Sequence, residues 1–219
     1  LEGAPSPDGR YLSYVDWDTG DLAIYEMAAG KKRRLTNKGT WDESKEFAEF
    51  SKWSPDGKQI VYDWYNKDDF IELRIVGLDG SKPRILYRNE EVTWAQVYDW
   101  SPDGKQILAC FNKKDGSKQI MLVSVAEGSE RILKTLDSKW PGKISFSPDG
   151  CYIVYDLPSK KDSTSRDIFL LSIDENREVP LIEHPASDRV LGWAPDGKHI
   201  LFVSDRTGSP DIWVIGVTD

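Results

Sequence analysis

Three carboxylates are the residues best suited by type to do chemistry in this chain: Glu49, Asp99 and Asp188. Two carboxyl groups about 5 to 9.5 Å apart can hydrolyse a glycosidic bond, one as general acid and the other as base or nucleophile. Glu49 lies six residues before a Pro-Asp-Gly triplet and Asp99 lies three before the next. In extended chain these offsets put the two side chains on opposite faces and at different depths. The spacing therefore disfavours a working pair, and an enzyme is the weaker hypothesis.

The sequence contains few residues that could bind a metal ion or act as a reactive thiol. The chain contains two histidines, His184 and His199, and two cysteines, Cys110 and Cys151. A zinc or multi-histidine centre needs more of these ligands, so we predict no metal and no cofactor. The cysteines lie at different distances from their Pro-Asp-Gly triplets, which predicts free thiols. His184, in a connecting segment, is the histidine placed where it could touch a ligand.

Aromatic residues in predicted loops are the second kind of candidate. Phe47, Trp94 and Trp140 each lie eight residues before a Pro-Asp-Gly proline. Such a repeated ring either packs between repeats or forms a stacking surface for a sugar, an aromatic ligand or a partner peptide. Trp41 and Trp64 lie outside the repeated positions, so we predict that both are exposed contact residues. The candidate binding residues are Trp41, Trp64, Tyr65, Trp94, Trp140, Glu49, Asp99 and Arg189.

The elements that must position these residues repeat five times. Pro-Asp-Gly begins at Pro7, Pro55, Pro102, Pro148 and Pro195, at intervals of 48, 47, 46 and 47 residues. Proline sets φ for a type I turn, aspartate tolerates the next position and glycine accepts positive φ, so each triplet predicts a β-hairpin turn with a glycine bulge. A repeat of this length predicts a four-stranded propeller blade.

The segments between the turns predict strands. Apolar and polar residues alternate in them, β-branched and aromatic types dominate, and no segment has a helical period. We expect an all-β propeller forming a single domain over residues 1–219. Its five antiparallel blades of about 47 residues are predicted at residues 1–40, 41–88, 89–135, 136–183 and 184–219. Blade one lacks a full innermost strand and blade five lacks a fourth strand, so we predict that an open edge pairs with another chain or with parts of a longer parent protein.

The repeats resemble those of the TolB-type propeller family, which is related to the WD repeats. The last copy, WAPDGKHILFVSDRTGSPDIWVIGV (Trp193 to Val217), follows the family's aromatic-Ser-Pro-Asp-Gly-Lys turn and later Asp-Ile-Trp-Val strand, with Ala194 in place of serine. The resemblance covers essentially the whole chain. It implies a scaffold, because the family includes the Tol-Pal periplasmic component, propellers attached to peptidases, and sensor regions of bacterial regulators. It also implies a periplasmic or extracytoplasmic location, but a fold alone defines no function.

The composition of the chain limits the classes of partner that it can bind. The net charge of −8 and the pI near 4.9 argue against nucleic-acid binding, which requires a basic surface. No apolar run approaches the roughly 18 residues of a membrane span. We therefore predict a non-catalytic module, the scaffold or sensor region of a larger bacterial protein, which binds a protein, a small molecule or a carbohydrate at its channel mouth. The alternative is a five-bladed carbohydrate-active enzyme or the accessory propeller of a peptidase.

Overall fold

The computed structural model describes residues 3–68, 70–136, 139–160 and 162–217, and within these ranges every regular element is a β-strand. The strands are β1 (Ala4–Pro5), β2 (Tyr11–Asp16), β3 (Asp21–Glu26), β4 (Lys31–Arg34), β5 (Phe47–Trp53), β6 (Gln59–Tyr65), β7 (Ile71–Gly77), β8 (Arg84–Arg88), β9 (Val92–Trp100), β10 (Gln106–Lys113), β11 (Lys118–Ser124), β12 (Glu130–Leu136), β13 (Ile144–Phe146), β14 (Tyr152–Pro158), β15 (Arg166–Ser172), β16 (Glu178–Ile182), β17 (Asp188–Trp193), β18 (His199–Ser204) and β19 (Asp211–Gly216).

These strands form five sheets, one for each sequence repeat. Consecutive strands pair side by side, giving four-stranded sheets β1–β4, β5–β8, β9–β12 and β13–β16 and a three-stranded sheet β17–β19. The pairings are antiparallel, for example β2 with β3 and β14 with β15. The predicted all-β class and the incomplete fifth blade are both confirmed, since no fourth strand joins β19 in the described part of the chain. Among the described residues, no helix has the length and apolarity of a membrane span.

The Pro-Asp-Gly triplets form the hairpin turns that the sequence predicts. Their glycines have φ between 67° and 77°, the left-handed region that a side chain disfavours. In the second repeat the Gly57 N–H donates to the Ser54 carbonyl at 2.9 Å, and the Ser54 N–H closes the loop on the Gln59 carbonyl at 2.9 Å. Each turn therefore joins the first two strands of its sheet in a fixed register.

The chain divides into two compact units, residues Leu1–Ile132 and Leu133–Asp219. In the first unit, side chains of neighbouring sheets form two buried clusters. One joins Leu22 and Ile24 of β3 to Ile60 and Tyr62 of β6. The other joins β6 and β7 to β9 and β10, for example Leu73 to Phe111. In the second unit a third cluster joins β14 and β15 to β17 and β18.

The aromatic residue before a Ser-Pro-Asp-Gly turn has a structural role in the first unit. The Trp53 indole Nε1–H donates to the Ala4 carbonyl at 2.8 Å, and the Trp100 Nε1–H donates to the Lys52 carbonyl at 3.1 Å. Each ring is buried and ties its sheet to the innermost strand of the preceding one. A buried indole needs such an acceptor, which accounts for these two tryptophans without a binding role.

Candidate functional site

An exposed group of aromatic rings lies within the first unit. Trp17 belongs to the turn between β2 and β3, Trp41 to the segment before β5, Phe47 to the start of β5 and Tyr65 to the end of β6. The Phe47 ring is at the centre, with centroid distances of 5.9 Å to Trp17, 6.2 Å to Trp41 and 5.2 Å to Tyr65. We call these four residues the aromatic cluster. Trp17 is 60% exposed, so a large ring surface faces solvent.

Specific contacts hold the aromatic cluster in place. The Trp41 Nε1–H donates to the Trp17 carbonyl at 3.1 Å, which joins the two loops directly. Lys38 Nζ lies 4.0 Å from the centroid of the Trp41 ring and donates to the Ser44 carbonyl at 2.7 Å, so the cation both covers the ring and fixes the loop. The rings are therefore preorganised, which lowers the entropy cost of binding a partner.

Gly20 makes this close packing possible. It lies between the loops with φ of 82°, and a Cβ there would meet the Trp41 ring, the Lys38 side chain and the Phe47 Cβ. The Gly20 carbonyl also accepts the Ala48 N–H at 2.9 Å. A side chain at this position would separate the β2–β3 turn from the start of β5.

Acidic residues neighbour two members of the aromatic cluster in the sequence. Asp18 and Asp42 are exposed beside Trp17 and Trp41 in the sequence. Glu43 is also exposed, and hydrogen bonds from the Thr40 backbone N–H and hydroxyl lower the pKa of its carboxyl. The surface thus combines apolar rings with negative charge, a combination that favours a partner with an apolar anchor and basic neighbours.

Of the predicted contact residues, Trp41 and Tyr65 lie in the aromatic cluster, but the prediction for Trp64 is wrong. Trp64 is 2% exposed, and its ring packs edge-on against Tyr62 at 6.1 Å. Its Nε1–H donates to Glu46, and the Arg74 guanidinium lies 4.6 Å from its ring centroid. Strand alternation places Ile60, Tyr62 and Trp64 of β6 on the same face, and that face is buried in the core with β3.

Other predicted residues lie outside the aromatic cluster. Trp94 is partly buried against the core of β7, β9 and β10, and Trp140 is partly buried in the second unit. Arg189 is exposed on β17. Trp17 is missing from the residues predicted from sequence. A tryptophan between two aspartates in a turn, Asp16-Trp17-Asp18, is the signal that points to it.

The three carboxylates have different surroundings. Glu49 lies at an irregularity in the β5–β6 register, and burial raises the pKa of its carboxyl. Asp99 accepts the Trp100 N–H at 2.9 Å. Asp188 is fully buried and accepts a hydrogen bond from Arg206 Nη2 at 2.8 Å. A fully buried aspartate that is paired with a partly buried arginine is poorly placed to exchange protons with a substrate.

The described residues contain no group of three or more His, Cys, Asp or Glu side chains that could hold a metal ion. Both cysteines are free thiols. Cys110 is buried, and burial raises its pKa to about 12, which leaves the thiol unreactive at neutral pH. His199 is exposed on β18, where Nδ1 contacts the Asp196 carboxylate at 2.6 Å.

Repeated antiparallel sheets of four strands, each with a Pro-Asp-Gly hairpin between its first two strands, are characteristic of a β-propeller. Sequence comparison gives the family, because residues 65–219 match the TolB β-propeller domain. The chain belongs to that family, as the resemblance predicts.

Solved structures agree with this assignment at the level of the fold. A protein described as a TolB from Agrobacterium tumefaciens is 19% identical with a TM-score of 0.71, covering 98% of this chain and 76% of that one. TolB from Acinetobacter baumannii is 18% identical with a TM-score of 0.69, covering 99% and 51% respectively. An oligogalacturonate lyase from Vibrio parahaemolyticus is 17% identical with a TM-score of 0.74, covering 97% and 60%. The chain thus spans between half and three quarters of these relatives.

Proposed function

We propose that this propeller is a non-catalytic protein-interaction module, the scaffold or sensor region of a larger bacterial protein, whose aromatic cluster binds an extended segment of a partner protein. The observation that carries the proposal is the exposure of Trp17, 60%, within a set of rings fixed by hydrogen bonds and ring contacts. Tryptophan contributes large contact area at low entropy cost, and it is enriched among residues that dominate binding energy.

The charge around the rings favours one type of partner segment. Asp18, Asp42 and Glu43 are exposed, and the whole chain carries a charge of −8. A segment with an aromatic or large aliphatic anchor and flanking Lys or Arg residues would match both the rings and their surroundings. Such a segment would insert its anchor beside Trp17 and place its basic residues over the acids.

Selection from a phage-displayed library of random peptides tests this proposal. We expect the chain to enrich peptides with an apolar anchor and basic residues. The Trp17→Ala substitution should lower the affinity for the selected peptides at least about tenfold. Met27→Ala is the matched control, since Met27 is 56% exposed on the turn after β3, in the same sheet. Peptides that bind the Trp17 variant as tightly as the wild type, or a selection without enrichment, would contradict the proposal.

One observation favours the alternative of a carbohydrate-active enzyme. Burial raises the pKa of the Glu49 carboxyl, and its Oε2 atom has no hydrogen-bond partner among the described residues; a glycosidase requires a protonated carboxylic acid. Assays with oligogalacturonate and aryl glycosides decide between the two proposals. We expect no turnover; turnover that Glu49→Gln abolishes would favour the enzyme.

A further inference from the structure

A cavity of about 540 Å³ lies within the second unit and shares no residue with the aromatic cluster. Its walls are the end of β12, the end of β14 with the segment that follows, β15, and the segment after β16. This volume is typical of small-molecule sites, which are mainly apolar with a few placed polar groups. The wall residues include Leu136, Lys139, Leu157, Asp167, Phe169 and His184.

Asp167 is the unusual residue of this cavity. It is paired with Leu157 across β14 and β15, and Tyr155 is paired with Phe169 two positions along, so all four side chains lie on one face. The Tyr155 and Phe169 rings stack at a centroid distance of 5.6 Å. Asp167 is 6% exposed and lines the cavity, and no hydrogen bond or ion pair with another described residue involves its carboxylate.

The corresponding residues of the other sheets show what Asp167 lacks. Register places Asp21, Glu72, Gln119 and Asp211 at the same position in their third strands. Asp21 accepts the Thr36 hydroxyl at 2.7 Å and the Lys38 N–H at 3.1 Å. Glu72 accepts the Asn66 amide at 2.9 Å and pairs with Arg74 at 2.8 Å.

In the second unit the residue that corresponds to Thr36 cannot supply its donor. Phe169 pairs with Pro180 as Ala23, at the same position of its sheet, pairs with Arg34. Two residues further along, Ile182 therefore stands in the place of Thr36, and isoleucine has no hydroxyl. A buried carboxylate without a donor is costly, so a ligand that supplies one gains binding energy there.

Two of the three lysines that line the cavity are engaged elsewhere, and the third, Lys160, is exposed. Lys139 Nζ donates to the Pro158 carbonyl at 3.1 Å and to the Ser159 carbonyl at 2.5 Å. Lys134 Nζ forms an ion pair with Glu178, which also accepts the Tyr155 hydroxyl. The lining has four carboxylates, on Asp162, Asp167, Glu178 and Glu183, against these three lysines, so its formal net charge is −1 with His184 neutral.

We propose that this cavity binds a small organic amine, with its ammonium group on the Asp167 carboxylate and its apolar body against Phe169 and Leu157. An ammonium group supplies three donors to the carboxylate, and the Phe169 ring offers both apolar contact and a cation–π surface. This inference is independent of the proposed function, because it uses residues of the second unit alone.

Calorimetric titration of the whole chain with three matched probes tests the charge requirement. The probes are 2-phenylethylamine, its neutral analogue 2-phenylethanol and the anion 3-phenylpropanoate. We expect the amine to bind in the millimolar range or tighter and at least about tenfold more tightly than either analogue. Absence of amine binding, or equal or tighter binding of the alcohol or the anion, would overturn the proposal.

Two isosteric variants then locate the site. Asp167→Asn keeps the size of the side chain but removes its charge, so we expect amine affinity to fall about tenfold or more. Asp211→Asn removes the corresponding charge from exposed β19 and should leave affinity within about twofold. If the Asp167→Asn variant bound the amine with the same affinity as the wild type, the amine would not bind in this cavity. If that variant does not fold, Phe169→Leu and the probe series on the wild type still decide the outcome.

Discussion

Asp63 and Asp156 occupy the same position of the repeat, but the charged residues around them differ. Asp63 and Asp156 each end a Val-Tyr-Asp sequence eight residues after a turn proline, and each accepts a backbone N–H from the innermost strand of the next sheet, Val97 or Val190. Asp156 also pairs with Arg166, whereas Asp63 has Glu49 near it. Burial and the Glu49 charge raise the pKa of Asp63 well above its usual value.

This difference predicts opposite effects of the same substitution. Because the folded-state pKa of Asp63 is raised, its contribution to stability is present below its unfolded pKa of about 3.9 and is lost as pH rises through the folded value. Asp63→Asn keeps an acceptor for the Val97 N–H and removes the charge. We expect it to raise the free energy of unfolding at pH 7.5, with a gain that shrinks toward pH 4.

Asp156→Asn is the matched control for that prediction. It removes the negative charge that pairs with the mostly buried Arg166, so we expect the free energy of unfolding to fall by about 2 kcal/mol at pH 7.5. Denaturant unfolding of both variants and the wild type at the two pH values makes the measurement. Effects of the same sign at pH 7.5 would contradict this account.

At the scale of elements, the Ser-Pro-Asp-Gly hairpins are closed by side chains as well as by backbone. In the third repeat the Ser101 hydroxyl donates to Asp103 Oδ1 at 2.6 Å and accepts the Gln106 N–H at 2.9 Å. That hydroxyl, followed by the Lys105 backbone N–H, lowers the pKa of Asp103. The fifth turn has Ala194 at the serine position and therefore lacks these two bonds.

We accordingly expect substitutions of this serine and alanine to change stability in opposite directions. Ser101→Ala should lower the free energy of unfolding by about 1 kcal/mol, because it leaves a strand-end N–H and a carboxylate without their partner. Ala194→Ser should raise the unfolding midpoint by adding the missing bonds. Thermal and denaturant unfolding measure both, and a neutral or destabilising Ala194→Ser would show that the hydroxyl does not stabilise the turn. Because the lowered pKa of Asp103 contributes stability that is lost as pH falls through its folded value, the benefit of Ser101 should decrease in acid to the part that the Gln106 bond supplies.

At the scale of the whole molecule, β19 is an open edge. Ile212 and Val214 are 72% and 59% exposed on one face of that strand, and the described part of the chain contains no strand that pairs with its outer side. An apolar strand with free backbone donors and acceptors favours pairing with another polypeptide. We keep the prediction that this edge pairs with another chain or with the rest of a longer parent protein.

For the chain by itself, this predicts association through β19. We expect light scattering after size-exclusion chromatography to show a mass that increases with concentration, and the Ile212→Lys/Val214→Lys double variant to remain monomeric. Ile85→Lys is the control, because Ile85 is 50% exposed on β8 of another sheet. A wild-type chain that is monomeric at every concentration, or an Ile85 variant with the same effect, would rule out this edge as the interface.

The sequence by itself determined the sheets, their order and their turns, because these depend on contacts a few residues apart. The interval between Pro-Asp-Gly triplets defined the repeat, and the positive φ of each glycine and the bond from Ser54 to Gln59 are local consequences of the turn residues. The sequence also showed that blade five is incomplete, because strands can be counted without knowing how they pack.

Only the tertiary structure decided which side chains were available for binding. Trp64 was buried by β3, a strand of another sheet, and Trp17 was left exposed beside Phe47, thirty residues further along the chain. Asp167 occupies the position of Asp21 in its sheet, yet it lacks the hydroxyl that Thr36 donates to Asp21, because Ile182 stands in the place of Thr36. Burial, charge compensation and exposure depend on what packs against a residue, and distant segments of the chain supply those contacts.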